Sequence, residues 1–107
     1  MKKIITTILF TITSIAIYAQ NAIPARPVPA RLVNDFANVM TDAQESLLEK
    51  KLVSFDDSTS NQIAVVTITD LNGYEIADYS FKLGEEWGIG RKDEDNGIVV
   101  LIKVKTD

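Results

Sequence analysis

The chain has 107 residues, 46% hydrophobic and 24% charged, a balance that suits one globular domain and excludes disorder throughout. Its formal net charge is −4, and it contains no histidine and no cysteine. Any chemistry must therefore come from carboxylates, amides, hydroxyls, backbone groups, lysine or arginine, which excludes thiol and imidazole catalysis and disulfide staples.

Lys2 and Lys3 precede an uncharged run from Ile4 to Ala19 that is rich in Ile and Thr, the pattern of a secretory signal peptide over residues 1–19. Thr6, Thr7, Thr11, Thr13 and Ser14 dilute the run below the roughly 20 strongly apolar residues of a spanning helix. Cleavage is expected between Ala19 and Gln20. Ile17 fills the third position back, where a smaller residue is favoured, so an uncleaved N-terminal anchor is kept as the alternative. Either way the protein is expected to be exported: periplasmic, secreted or anchored to the membrane by its N-terminus. Without Lys2 and Lys3, nine basic residues stand against fifteen acidic ones, a mature charge of −6 with no clustered basic face. Nucleic acid is thereby a poor partner.

Residues 20–30 carry Pro24, Pro27 and Pro29 with Arg26, a composition that favours extended backbone and predicts a linker. Arg31 to Phe36 reads as a short strand. Thr41 and Gln44 then form a capping box, and Leu47, Leu48, Leu52 and Phe55 recur at helical spacing with Glu45, Glu49, Lys50 and Lys51 on the other face. This predicts an amphipathic helix from Asp42 to about Asp57. The polar stretch DDSTSN breaks it, and the β-branched run Gln62 to Thr69 predicts a strand. Asn72-Gly73 could turn a hairpin, but Ile76, Tyr79, Leu83 and Trp87 follow at spacings of three and four, which favours a second helix with Tyr79 and Trp87 as packing residues. Gly88 and Gly90 end it, Arg91 to Asn96 form a charged loop, and Gly97 opens the apolar strand Ile98 to Val104.

The order strand, helix, strand, helix, strand implies right-handed crossovers, hence an α/β fold: a βαβαβ three-strand mostly parallel sheet with flanking helices. Apolar strands of this kind normally have both faces covered, yet two helices are few for that, and the sheet is expected to be incomplete at its C-terminal end.

VNDFANVMT at Val33 to Thr41, QIAVVTI at Gln62 to Ile68 and WGIGRKDEDNGIVVLI at Trp87 to Ile102 together resemble the TPM domain, also called the TPM phosphatase domain. The likeness runs over the mature chain and matches the N-terminal two-thirds of that domain, so residues 31–107 are expected to be a truncated TPM-like domain. The resemblance implies an exported or membrane-associated α/β protein with a central sheet, and an acid phosphatase-like activity or divalent-cation binding in the intact form.

With neither imidazole nor thiol, only oxygen ligands remain, so calcium or magnesium is expected rather than zinc, and no haem or nucleotide cofactor. The metal candidates are Asp35, Asp93, Asp95 and Asn96, with Glu94 and Asp70 in reserve; Arg91 and Lys92 are the candidates for holding a phosphomonoester substrate. The loop is no EF-hand, since positions six and twelve counted from Asp93 are Ile98 and Val104. Each candidate has a plainer alternative: a solvated connector for RKDEDNG, a local hydrogen bond at the lead into the first helix for Asp35, and an ordinary loop for Asp70-Leu-Asn-Gly. Asp70 follows a strand and Asp95 precedes one, so the two should lie at opposite ends of a parallel sheet. Two functions follow: a divalent-cation-dependent phosphatase-like hydrolase, or a non-catalytic binding or assembly module that meets an envelope or membrane protein.

Overall fold

A computed structural model describes residues 23–90 and 96–105. Its elements are β1 (Val33–Asp35), α1 (Asp42–Thr59), β2 (Gln62–Ile68), α2 (Ile76–Trp87) and β3 (Gly97–Lys103). The strands form one sheet in the order β1-β2-β3, parallel throughout, with Val33 beside Val65 and Gln62 beside Gly97. This is the expected α/β βαβαβ arrangement.

The helix ends follow from local chemistry. Thr41 Oγ1 accepts from the Gln44 amide at 3.1 Å, and Gln44 Oε1 accepts from the Thr41 amide at 2.9 Å, so two of the first turn's orphan donors are satisfied by the capping box. α1 runs on to Thr59, two residues past the expected end, and closes with Ser60 in the left-handed conformation donating to the Asp56 carbonyl. Gly88 closes α2 in the same conformation.

Successive residues of β2 point to opposite faces, and the two faces are covered differently. On one, where Ala64 is also buried, Val66 and Ile68 pack beneath Tyr79, Leu83 and Trp87 of α2, with Val99 and Leu101 of β3 against the cluster. Full burial of Leu83 contributes roughly 2 kcal/mol. On the other face α1 lies over β1 and β2 and does not reach β3. Ile98, Val100 and Ile102 of β3 therefore stay exposed on that face. Among the described residues nothing pairs with the outer edge of β3.

Two expectations change here. The sheet-facing stripe of α1 is Glu45, Leu48, Glu49, Leu52 and Asp56, all half-buried, whereas Leu47 is 59% and Phe55 41% exposed. Glu49 turns inward because its carboxylate accepts from the Leu32 amide at 3.0 Å and from the Val33 amide at 2.8 Å, where the start of β1 would otherwise leave two donors unpaired. The proline-rich stretch also does more than link. Trp87 Nε1 donates to the Pro24 carbonyl at 2.8 Å, Arg26 Nη1 donates to the Trp87 carbonyl at 2.8 Å, and Ile23 packs on the core. The arginine thus meets a free carbonyl at the negative end of α2.

Candidate functional site

Asp35 ends β1 in register with Thr67, and its side chain holds the loop into α1. Oδ1 accepts from Thr67 Oγ1 at 2.6 Å and from the Val39 amide at 3.1 Å, while Oδ2 accepts from the Met40 amide at 2.8 Å. Thr67 Oγ1 in turn accepts from the Ala37 amide at 3.1 Å. The Thr67 hydroxyl is the main reason the Asp35 carboxyl sits below the usual carboxylate range; partial burial opposes it, and the amides of Met40, Val39 and Asn38 add to it. Both carboxylate oxygens are thus engaged in shaping a turn.

Beside this turn, at the carboxyl ends of the strands, lies a shallow cleft of about 360 Å³. Phe36, Ile68 and Tyr79 form its walls with Pro24 of the N-terminal strap, and Thr69, Asp70 and Asn72 its polar rim. Asp70 Oδ1 accepts from the Asn72 amide at 2.8 Å, and Asn72 and Gly73 both take positive φ as the chain turns toward α2. Phe36 is set edge-on against Trp87, with ring centroids 6.0 Å apart. Tyr79 is buried, and its phenol is pushed up first by that burial and then by the Asp70 charge. Asp70 was a candidate in the sequence, where Tyr79 read only as a packing residue; Tyr79, Phe36 and Pro24 as lining residues were not foreseen, because nothing local in the chain says that Trp87 will gather Phe36 and Pro24.

Asn96 lies at the opposite end of the sheet. Asn96 Nδ2 donates to the Ser60 carbonyl, the Gln62 amide donates to the Asn96 carbonyl at 2.9 Å, and the Gly90 amide donates to Gln62 Oε1 at 2.9 Å. Gly90 has φ +90°, and a Cβ there would stand 2.7 Å from the Gly97 nitrogen, so the two ends of the charged loop meet in a neck that requires glycine. Arg91, Lys92, Asp93, Glu94 and Asp95 lie outside the described residues.

From Gln62, beside Asn96, to Thr67, beside Asp35, β2 advances roughly 16 Å at about 3.3 Å per residue. Calcium–oxygen bonds are only about 2.3–2.6 Å long, so Asp35 and Asn96 do not ligate one ion. With Asp35 also engaged in its turn, the described residues do not fit a shared calcium or magnesium centre built on that pair. Among them no group of three or more acidic side chains is placed to hold a metal. No helix among the described residues is long and apolar enough to cross a membrane.

A family model described as the TPM domain matches residues 33–107. The solution NMR structure of the N-terminal domain of a protein from P. gingivalis is similar, with 31% sequence identity and a TM-score of 0.60. That match covers 66% of this chain and 45% of the other, so this chain spans less than half of its neighbour's length. Nothing among curated proteins matches.

Proposed function

The chain belongs to the TPM domain family, and we propose that it serves there as an exported, non-catalytic binding module of the cell envelope whose ligand seats in the cleft at the carboxyl ends of the strands. The cleft itself carries this reading. It lies where open parallel sheets place ligands, and it combines apolar walls with a few convergent polar groups. Asp35, the carboxylate at the turn beside the cleft, spends its oxygens on Thr67, Val39 and Met40 and so supports the cleft. Export rests on Lys2, Lys3 and the uncharged run that follows. N-terminal sequencing of protein from the envelope fraction should begin at Gln20, or at Met1 in the membrane fraction if the segment is kept as an anchor. Recovery only from the cytoplasm would remove the export claim.

The second reading, a divalent-cation-dependent phosphatase-like hydrolase, is favoured by the neck at Gly90 and Gly97. Pinning both ends of a short loop gives Arg91, Lys92, Asp93, Asp95 and Asn96 a fixed base from which to hold calcium or magnesium and a phosphomonoester. Hydrolysis of p-nitrophenyl phosphate by the full-length gene product, measured with and without each cation, separates the two. Turnover that rises with the cation and falls in an Asp95→Asn variant establishes the hydrolase; flat rates leave the binding module.

A further inference from the structure

Among the described residues the cleft carries a single formal charge on its lining side chains, the carboxylate of Asp70, and no described lysine or arginine lines it. A phosphate or carboxylate entering it meets the like charge of Asp70 with no cationic side chain among the described lining residues to offset it, whereas a cation is attracted. The start of α2, which could favour an anion at this end of the sheet, has Glu75 as its cap residue and Asp78 in its first turn, and these acidic side chains oppose that preference.

The uncharged surfaces select further. Phe36 is 46% exposed and its ring is braced by Trp87, while Ile68 and Pro24 supply aliphatic wall. A strongly hydrated metal ion gains nothing from such walls; an organic cation gains from both the apolar surface and the aromatic ring. Tyr79, raised by burial and by Asp70, stays a neutral hydroxyl across the neutral range. The mature charge of −6 draws cations toward the molecule from a distance.

We propose that the cleft binds a primary ammonium group carried on an apolar stem, Asp70 pairing with the charge while Phe36 and Ile68 receive the stem. This rests on the cleft being the ligand seat of a binding module and names the ligand's chemistry. An alkylamine and the side chain of a lysine in an exported polypeptide both present that chemistry.

The test is an NMR titration of the ¹⁵N-labelled chain with n-butylammonium, n-butanol and n-butyl phosphate, following the amides of Phe36, Asp70, Asn72 and Tyr79. n-Butylammonium should saturate these shifts with a Kd on the order of a millimolar, and n-butanol only at higher concentration. Because Asp70 is exposed, Asp70→Asn should weaken the ammonium by about three- to tenfold and leave n-butanol unchanged; asparagine keeps the oxygen that receives the Asn72 amide. High salt on the unsubstituted chain should do the same, independently of how the variant folds. Nα-acetyl-lysine methylamide binding tighter than n-butylammonium assigns the ligand to a polypeptide lysine, and the reverse order assigns it to a free amine; both orders support the proposal. An unchanged Kd in Asp70→Asn and in salt overturns it. Seating of n-butanol or n-butyl phosphate without the ammonium overturns it while leaving the cleft as a binding seat. Silence of these amides toward all three compounds overturns it and takes the cleft out of the binding reading as well.

Discussion

Replacing Glu49 with alanine distinguishes the inward-facing Glu49 of the fold from the solvent-facing one that helical periodicity alone assigns. The carboxylate receives the amides of Leu32 and Val33 at 3.0 and 2.8 Å, and both of those residues are buried. A hydrogen bond to a charged group contributes roughly 1.5–3 kcal/mol, and an orphaned buried donor costs about 1–3 kcal/mol. The Glu49 side chain is 21% exposed, so water can partly replace it, and the expected loss is about 2–4 kcal/mol for the pair of bonds. Its contact with Arg31, at 3.7 Å with the arginine 46% exposed, adds little. For a domain of this size the loss lowers Tm by roughly 10–25 °C. Glu49→Gln keeps one acceptor oxygen and should recover about half of it. Urea unfolding followed by circular dichroism gives the number directly. A Glu49→Ala loss below about 0.5 kcal/mol, the scale of an ordinary surface substitution, would refute the inward placement.

Removing residues 20–27 should take away the Pro24 and Arg26 bonds at Trp87, costing about 1–2 kcal/mol and shifting the emission of this only tryptophan to the red; an unchanged spectrum would mean that the strap does not cover the ring. Asp35 is held below its ordinary value of 3.8, so its contribution to stability is fully present above that value and is lost as pH falls through the lower folded one. The stability gap between the wild type and Asp35→Asn should accordingly close on acidification, measured by urea midpoints from neutral pH downward; a gap independent of pH would contradict the network. Gly90→Ala adds a clash at 2.7 Å to a positive φ, while Gly73→Ala meets nothing within 4 Å and adds strain alone. The first should cost more than the second, about 1–3 kcal/mol for the strain plus the clash, and equal losses would show that the neck is not tightly closed.

The order and kind of the five elements were legible from residues close together in the chain. Thr41 and Gln44, three apart, write the start of α1; the β-branched run from Gln62 writes β2; Gly88 ends α2 because glycine takes left-handed backbone without strain. The parallel arrangement followed too, since crossover helices leave little other choice. For the site, the sequence nominated Asp35 and Asp70 at strand ends and Asn96 at a strand start, and each lies at the end of the sheet that its position in the chain implied.

What the tertiary structure alone decided is what those residues touch. Asp35 meets Thr67 across 32 positions, Leu32 meets Glu49 across 17, and Pro24 meets Trp87 across 63. The same separation put Glu49 on the opposite face of α1 from the one its polarity suggests, because two strand amides needed an acceptor more than the charge needed water. It also gathered Phe36 and Pro24 around Asp70 and kept Asp35 away from Asn96. Local backbone preference is encoded within one turn of helix or a few strand residues, so it can be read along the chain. The partner of a side chain is chosen by packing across the whole sheet, where burial leaves donors that only a distant residue can satisfy.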